Sequence, residues 1–211
     1  MPEQPPRLML RTPPIGDAAA FAEPLRQALS AGDIAAVVLD FAEGDGRGLI
    51  NMVKLLAPIV QGSGAALLVA DRPEIVARSG ADGVHVSDPA GLEAALDLVK
   101  GQDRIVGAAG LRLRDDAMAA AEKGVDYVMF GEGRPDGSHP PLSSVIERTS
   151  WWAEIFETPC VAVAPAFDAI DDLAAAGAEF VAIGEPVWTS PGGPIPAVKA
   201  ALTRLAQGRP R

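Results

Sequence analysis

The chain has 211 residues, 48% hydrophobic and only 5% aromatic, with a net charge of −10 and a sequence pI near 4.6. That length suits one packed core, and the scarcity of aromatics means a core built from Ala, Val, Leu and Ile. An acidic chain whose basic residues do not cluster is excluded as a nucleic-acid or anionic-membrane binder.

The opening Met1-Pro2-Glu3-Gln4-Pro5-Pro6 lacks the basic-then-apolar pattern of a signal segment. Residues 1–6 read as a loose lead-in to a single domain. No stretch is apolar for long enough to span a bilayer, so a cytoplasmic protein is expected. The first strand is predicted at Leu8 to Thr12, followed by an Ala-rich helix from Ala18 to Ser30. Ile34 to Asp40 is a continuous apolar run ending in an acid, the pattern of a strand covered on both faces. A helix over Leu49 to Val60 and a strand over Ala65 to Ala70 come next. Asp71-Arg72-Pro73 then turns into a helix with proline in its first turn. A short strand, Val84 to Val86, leads to Ser87-Asp88-Pro89, where Asp88 is placed to cap the fourth helix. The fifth strand is Ile105 to Ala108 and the fifth helix runs from Asp115 to Glu122. The sixth strand, Tyr127 to Phe130, opens into a polar loop from Gly131 to Pro141. Helix six carries Trp151-Trp152, which suit helix packing or a subunit contact and leave a homo-oligomer open. The seventh strand, Cys160 to Ala164, holds the one cysteine, so no intrachain disulfide or thiolate metal cluster can form. A helix over Ala169 to Ala176, a strand over Phe180 to Ile183 and a helix over Ile195 to Ala206 complete the chain.

One pattern recurs four times. A glycine closes an Ala-rich stretch and an acid leads into the next apolar run: Gly32-Asp33-Ile34, Gly80-Ala81-Asp82-Gly83-Val84, Gly124-Val125-Asp126-Tyr127-Val128 and Gly177-Ala178-Glu179-Phe180-Val181. The glycines lie 48, 44 and 53 residues apart, room for two strand–helix units each. Each glycine is expected in the left-handed conformation that ends a helix without a Cβ clash. Eight alternating units predict a (β/α)8 TIM barrel, slightly short of the roughly 250 residues typical of that fold. An open doubly wound sheet is disfavoured, because no Gly-x-Gly-x-x-Gly follows an early strand.

In such a barrel the chemistry sits at the carboxyl ends of the strands. Those ends supply Asp40, Asp71, Asp88, Glu132 and Glu185 against Arg11, Arg72 and Arg134. The expectation is an acid-rich mouth, suited to a divalent cation or a cationic ligand. Asp71 reads either as a metal ligand or as a helix cap. His85, within its strand, reads as a satisfied interior histidine or a catalytic one. Glu132 caps no obvious helix and is a candidate at the mouth. His139 reads as a solvated loop residue.

The run from Ala70-Asp71-Arg72-Pro73 to Gly80-Ala81-Asp82-Gly83-Val84-His85-Val86 resembles the thiamine-phosphate synthase family, with its Asn-Asp-Arg turn followed by Ala-Asp-Gly-Val-His-Leu-Gly. Gly124-Val125-Asp126-Tyr127-Val128-Met129-Phe130-Gly131 is similar to the family's Gly-Ala-Asp-Tyr-Ile-Gly-Phe-Gly. Pro159-Cys160-Val161-Ala162-Val163 matches its Pro-Val-Val-Ala-Ile. The likeness extends in order over most of residues 34 to 190. It implies a (β/α)8 barrel that joins a hydroxymethylpyrimidine diphosphate to a thiazole phosphate, expelling diphosphate with Mg2+. It further implies Asp71 as a metal ligand, Asp88 near the second, and Arg72 and Arg134 toward the diphosphate.

Several family positions differ. The strand-two Gln-Leu-Arg-x-Lys aligns with Val38-Leu39-Asp40-Phe41-Ala42, so Asp40 stands near the place of a cation. The Thr-rich diphosphate loop becomes Gly133-Arg134-Pro135-Asp136-Gly137-Ser138. The Gly-Gly phosphate cradle is Ala164-Pro165, and proline there removes an amide donor. The strand-eight serine is replaced within Gly184-Glu185-Pro186. Two alternatives follow. One is a tautomerase-like enzyme, in which Glu132 holds the position of that branch's histidine and acts as general acid/base with a raised pKa. The other is a non-catalytic relative that binds a ligand or a partner.

Overall fold

The protein is described from a computed structural model covering residues 5–134 and 138–208. Its strands are β1 (Arg7–Arg11), β2 (Ile34–Leu39), β3 (Ala66–Ala70), β4 (Gly83–Val86), β5 (Ile105–Ala108), β6 (Tyr127–Phe130), β7 (Cys160–Ala164) and β8 (Phe180–Ile183). They pair in parallel and in chain order, and β8 closes on β1 through Leu8↔Val181 and Leu10↔Ile183. The helices are α1 (Ala18–Ser30), α2 (Gly46–Gly62), α3 (Pro73–Ser79), α4 (Leu92–Val99), α5 (Arg114–Glu122), α6 (Leu142–Ile155), α7 (Ile170–Ala175), α8 (Glu185–Trp188) and α9 (Pro194–Gln207). This is the expected (β/α)8 barrel.

Strand alternation divides the apolar residues into two layers. Leu8, Leu10, Val37, Leu39, Val84, Val128 and Ile183 face outward and pack beneath the helices. Met9, Ala36, Val38, Leu68, Met129, Val161 and Ala182 face inward and fill the ring. The ring is thus filled by side chains among the described residues, and the ligand site expected of this fold lies at the mouth.

The recurring glycine–acid motif has a defined structural job. Gly80, Gly124 and Gly177 end their helices with φ of +84°, +86° and +95°. Gly32 differs: its φ is not positive, and it is small because Leu202 packs against it. The acid after each stop binds the preceding strand. Asp82 Oδ2 accepts the Leu67 amide at 2.7 Å, Asp126 Oδ2 the Val106 amide at 2.7 Å, and Glu179 Oε2 the Cys160 amide at 2.8 Å. Asp33 instead pairs with Arg7 of β1 at 2.9 Å.

Asp88 caps as expected, accepting the Ala90 amide at 3.0 Å, but it opens a 3-10 turn (Pro89–Gly91) before α4. Trp152 is fully buried, stacks on Phe156 at 4.1 Å and donates Nε1 to the Thr158 carbonyl at 2.7 Å. It therefore packs its helix onto the barrel. Among the described residues no helix is long and apolar enough to cross a membrane.

Candidate functional site

Three inward positions on adjacent strands lie in one row, with His85 of β4 beside Gly107 of β5 and Gly107 beside Tyr127 of β6. A Cβ on Gly107 would come within 1.9 Å of the tyrosine ring. The glycine thus leaves the space through which Tyr127 leans to His85. The Tyr127 hydroxyl lies 2.8 Å from His85 Nδ1, and His85 Nε2 lies 2.9 Å from Glu132 Oε1. Arg11, at the end of β1, crosses the mouth and donates Nη1 to the same oxygen at 2.5 Å. The Gly110 amide donates to Glu132 Oε2 at 3.2 Å. Trp188 of α8 fixes the base of Arg11 by donating Nε1 to its carbonyl at 2.6 Å.

Burial raises the Glu132 pKa, but His85, Arg11 and the Gly110 amide outweigh it and hold the carboxyl below its usual range. This corrects the expectation of a raised pKa: an ionised, fully engaged carboxylate is a poor general acid. An ionised carboxylate only accepts, so His85 Nε2 carries hydrogen. At Nδ1 the ring meets the Tyr127 hydroxyl. Burial first, and the Glu132 charge second, push the tyrosine pKa far up, so its hydroxyl stays protonated. His85 is fully buried with both ring nitrogens partnered.

Above this relay lies an open cavity of about 1050 Å³ on the β4–β6 side of the mouth. Arg11, Arg112, Arg134 and Arg148 line it against Asp88, Asp116 and Glu132. On this side of the mouth the described lining therefore holds four guanidiniums against three carboxylates, with Glu132 already paired. Arg112 and Arg148 lie beyond the strand ends, on a loop and a helix, where reading the strand ends alone does not find them. Arg148 reaches in from α6, donating to the Leu111 carbonyl at 2.5 Å and lying over the Phe130 ring at 5.7 Å.

The other candidates lie elsewhere. Asp40 turns its carboxylate onto the next amide, accepting from Phe41 at 2.8 Å. Asp71 adopts φ +52° and accepts the Ser87 amide at 2.7 Å, tying the β3 and β4 ends together. It is not a helix cap, because Arg72 holds that position on α3 without a side-chain cap bond. Arg72 is exposed, and Gly184 and Glu185 sit at the start of α8, on the β8 side of the mouth. His139 is exposed and lies against Gly133. Pro135, Asp136 and Gly137 lie outside the described residues.

A family model described as thiamine monophosphate synthase matches residues 8–187. A thiamine-phosphate synthase of Rhodospirillum centenum is 40% identical over 96% of this chain and 98% of its own length. The chain belongs to the thiamine monophosphate synthase family. A second member, from Hyphomonas neptunium, is 36% identical over 92% of this chain and 91% of its own. Among solved structures, a thiamine phosphate pyrophosphorylase from Pyrococcus furiosus superposes with a TM-score of 0.79 at 22% identity, covering 96% of each chain. A 3-hexulose-6-phosphate synthase reaches 0.71 at 15% identity, covering 94% of this chain and 99% of its own. These two structures speak to the fold.

Among the described residues no group of three or more His, Cys, Asp or Glu side chains converges as a metal cage. The Mg2+ that the resemblance implies would need less, since that ion commonly takes one or two carboxylates and completes its shell with phosphates and water. Asp71 and Asp88 each engage one oxygen with an amide and keep the other without a partner among the described residues. Their chemistry fits that limited role.

Proposed function

We propose that this protein acts as a thiamine-phosphate synthase in thiamine biosynthesis, joining a hydroxymethylpyrimidine diphosphate to a thiazole phosphate and releasing diphosphate. The observation that carries the reading is the guanidinium-lined cavity at the barrel mouth, in a chain whose family likeness spans nearly its whole length. In the reaction the bond from the pyrimidine methylene to the diphosphate oxygen breaks and the thiazole nitrogen bonds to that carbon. Charge builds on the departing diphosphate, and fixed cations there lower the barrier. Arg112 and Arg134 are the groups for that role. Arg148 is committed to the Leu111 and Arg112 carbonyls and shapes the wall. Asp71 and Asp88 would hold Mg2+, which neutralises diphosphate charge when bound. His85 and Tyr127 lie beneath the mouth and hold Glu132 in place.

Purified protein given both precursors and Mg2+ should release diphosphate. Arg134→Met should lower kcat/KM by roughly 10²-fold. Absence of diphosphate release with Mg2+ or Mn2+, from neutral to mildly alkaline pH, would overturn the reading. A second reading, binding of one phosphorylated precursor without displacement, draws on Pro165, which offers no amide at the end of β7. Saturable binding of the pyrimidine diphosphate, with weak thiazole phosphate binding and no turnover, would select it.

A further inference from the structure

The relay inside the barrel ends at a guanidinium that the protein does not fully use. A guanidinium carries five N–H donors in a rigid fork. Arg11 directs Nη1 to Glu132. Among the described residues its Nε and Nη2 have no partner, although the side chain is only 23% exposed and lines the cavity. These donors are not shut away from water, so a ligand in the cavity can take them up directly. Glu132 cannot turn to serve them. Its Oε1 takes Arg11 and His85, and its Oε2 takes the Gly110 amide. Trp188 holds the other end, through the Arg11 carbonyl.

We propose that Arg11 is a phosphoryl-binding residue of the mouth, with Nε and Nη2 presented to two oxygens of a phosphate or diphosphate by the grip of Glu132 and Trp188. The planar fork matches such an oxygen pair. Arg112 and Arg134 line the same cavity, so a ligand with more than one negative charge is matched better than a lone carboxylate. Sharing the Glu132 charge among three donors dulls its repulsion of an incoming anion. The proposal rests on the reading of this mouth as a phosphate-ester site and adds a residue to it.

The test is calorimetric titration of inorganic diphosphate into the full-length protein. The wild type should bind saturably. Arg11→Met should weaken binding by about tenfold or more, and Arg11→Lys by several-fold, since the ammonium keeps charge but loses the fork. Arg26→Met, which removes an exposed pair with Glu23 on α1, should change nothing. A wild type that does not bind diphosphate, or an Arg11→Met protein within about twofold of it, overturns the proposal. If circular dichroism shows Arg11→Met unfolded, Arg11→Lys decides alone, and wild-type affinity in that variant is equally fatal. Diphosphate binding through Arg11 without precursor turnover would leave this subsite standing and remove the synthase reading. Turnover with no Arg11 dependence of diphosphate binding would do the reverse.

Discussion

Glu132 shows how a single buried carboxylate can be structural in one protonation state only. Its folded pKa lies below the ordinary value, so the stability it contributes is fully present above the unfolded pKa of about 4.3. That contribution disappears as pH falls through the lower folded value. Glu132→Gln should therefore cost about 1.5–3 kcal/mol at neutral pH, the range for hydrogen bonds to a charged group. The gap between variant and wild type should narrow in acid. Urea melts at neutral pH and near pH 4 check both the size and the sign, and a gap that widens in acid would contradict the placement. Tyr127→Phe removes the partner of a fully buried His85 nitrogen and should cost about 1–3 kcal/mol by the same measurement. Sequence could not assemble this relay. Tyr127 and His85 are 42 residues apart, and each looks like an ordinary strand residue. The available signal was indirect: Tyr127 and Met129 alternate inward, and Gly107 is small where a neighbour could lean over it. Asp40 and Asp71 each turn one oxygen to a backbone amide and Arg148 arrives from a helix, placements that no spacing in the sequence announces.

At the scale of elements, the chain was readable because each strand is a short apolar run and several helices stop at a left-handed glycine. β5, β6, β7 and β8 fall on the residues expected from those runs. α8 was invisible because Glu185-Pro186-Val187-Trp188 is too short to show a helical period. The glycine–acid motif was legible as a rhythm, but its second half, the carboxylate that accepts an amide of the preceding strand, needed the register. Asp82 illustrates the economy of the device. Its own amide donates to the Leu67 carbonyl at 2.8 Å while its carboxylate accepts the Leu67 amide, and its carbonyl accepts the Ile105 amide at 2.9 Å. One residue thereby ties β3, β4 and β5 together. Asp82→Ala should destabilise by about 1–3 kcal/mol, and Asp82→Asn by less, because the amide oxygen still accepts. Equal losses for the two, read from chemical denaturation midpoints, would show that the bond to Leu67 is not what the side chain contributes.

For the whole molecule, the decisive feature is that a ring of eight strands must be filled from inside with side chains of matched size. Inward positions hold several alanines, so one tyrosine needs a glycine beside it, and the Gly107–Tyr127 pair is where that matching is tightest. A methyl group on Gly107 would lie 1.9 Å from Tyr127 Cζ and 2.3 Å from its hydroxyl oxygen. Neither atom belongs to a flexible chain end, because the ring is buried and the hydroxyl is held by His85. Gly107→Ala should therefore cost at least about 1–3 kcal/mol through overpacking, lowering Tm by roughly 2–4 °C per kcal/mol for a chain of this size. Adding Tyr127→Phe should not relieve the clash, since Cζ remains. Adding Tyr127→Leu should relieve it, so that the double variant is more stable than the sum of the two single losses predicts. Strict additivity of Gly107→Ala and Tyr127→Leu in a double-mutant cycle would mean that the two residues do not meet. The row that links β4 to β6, and with it the support beneath Glu132 and Arg11, would then have to be redrawn.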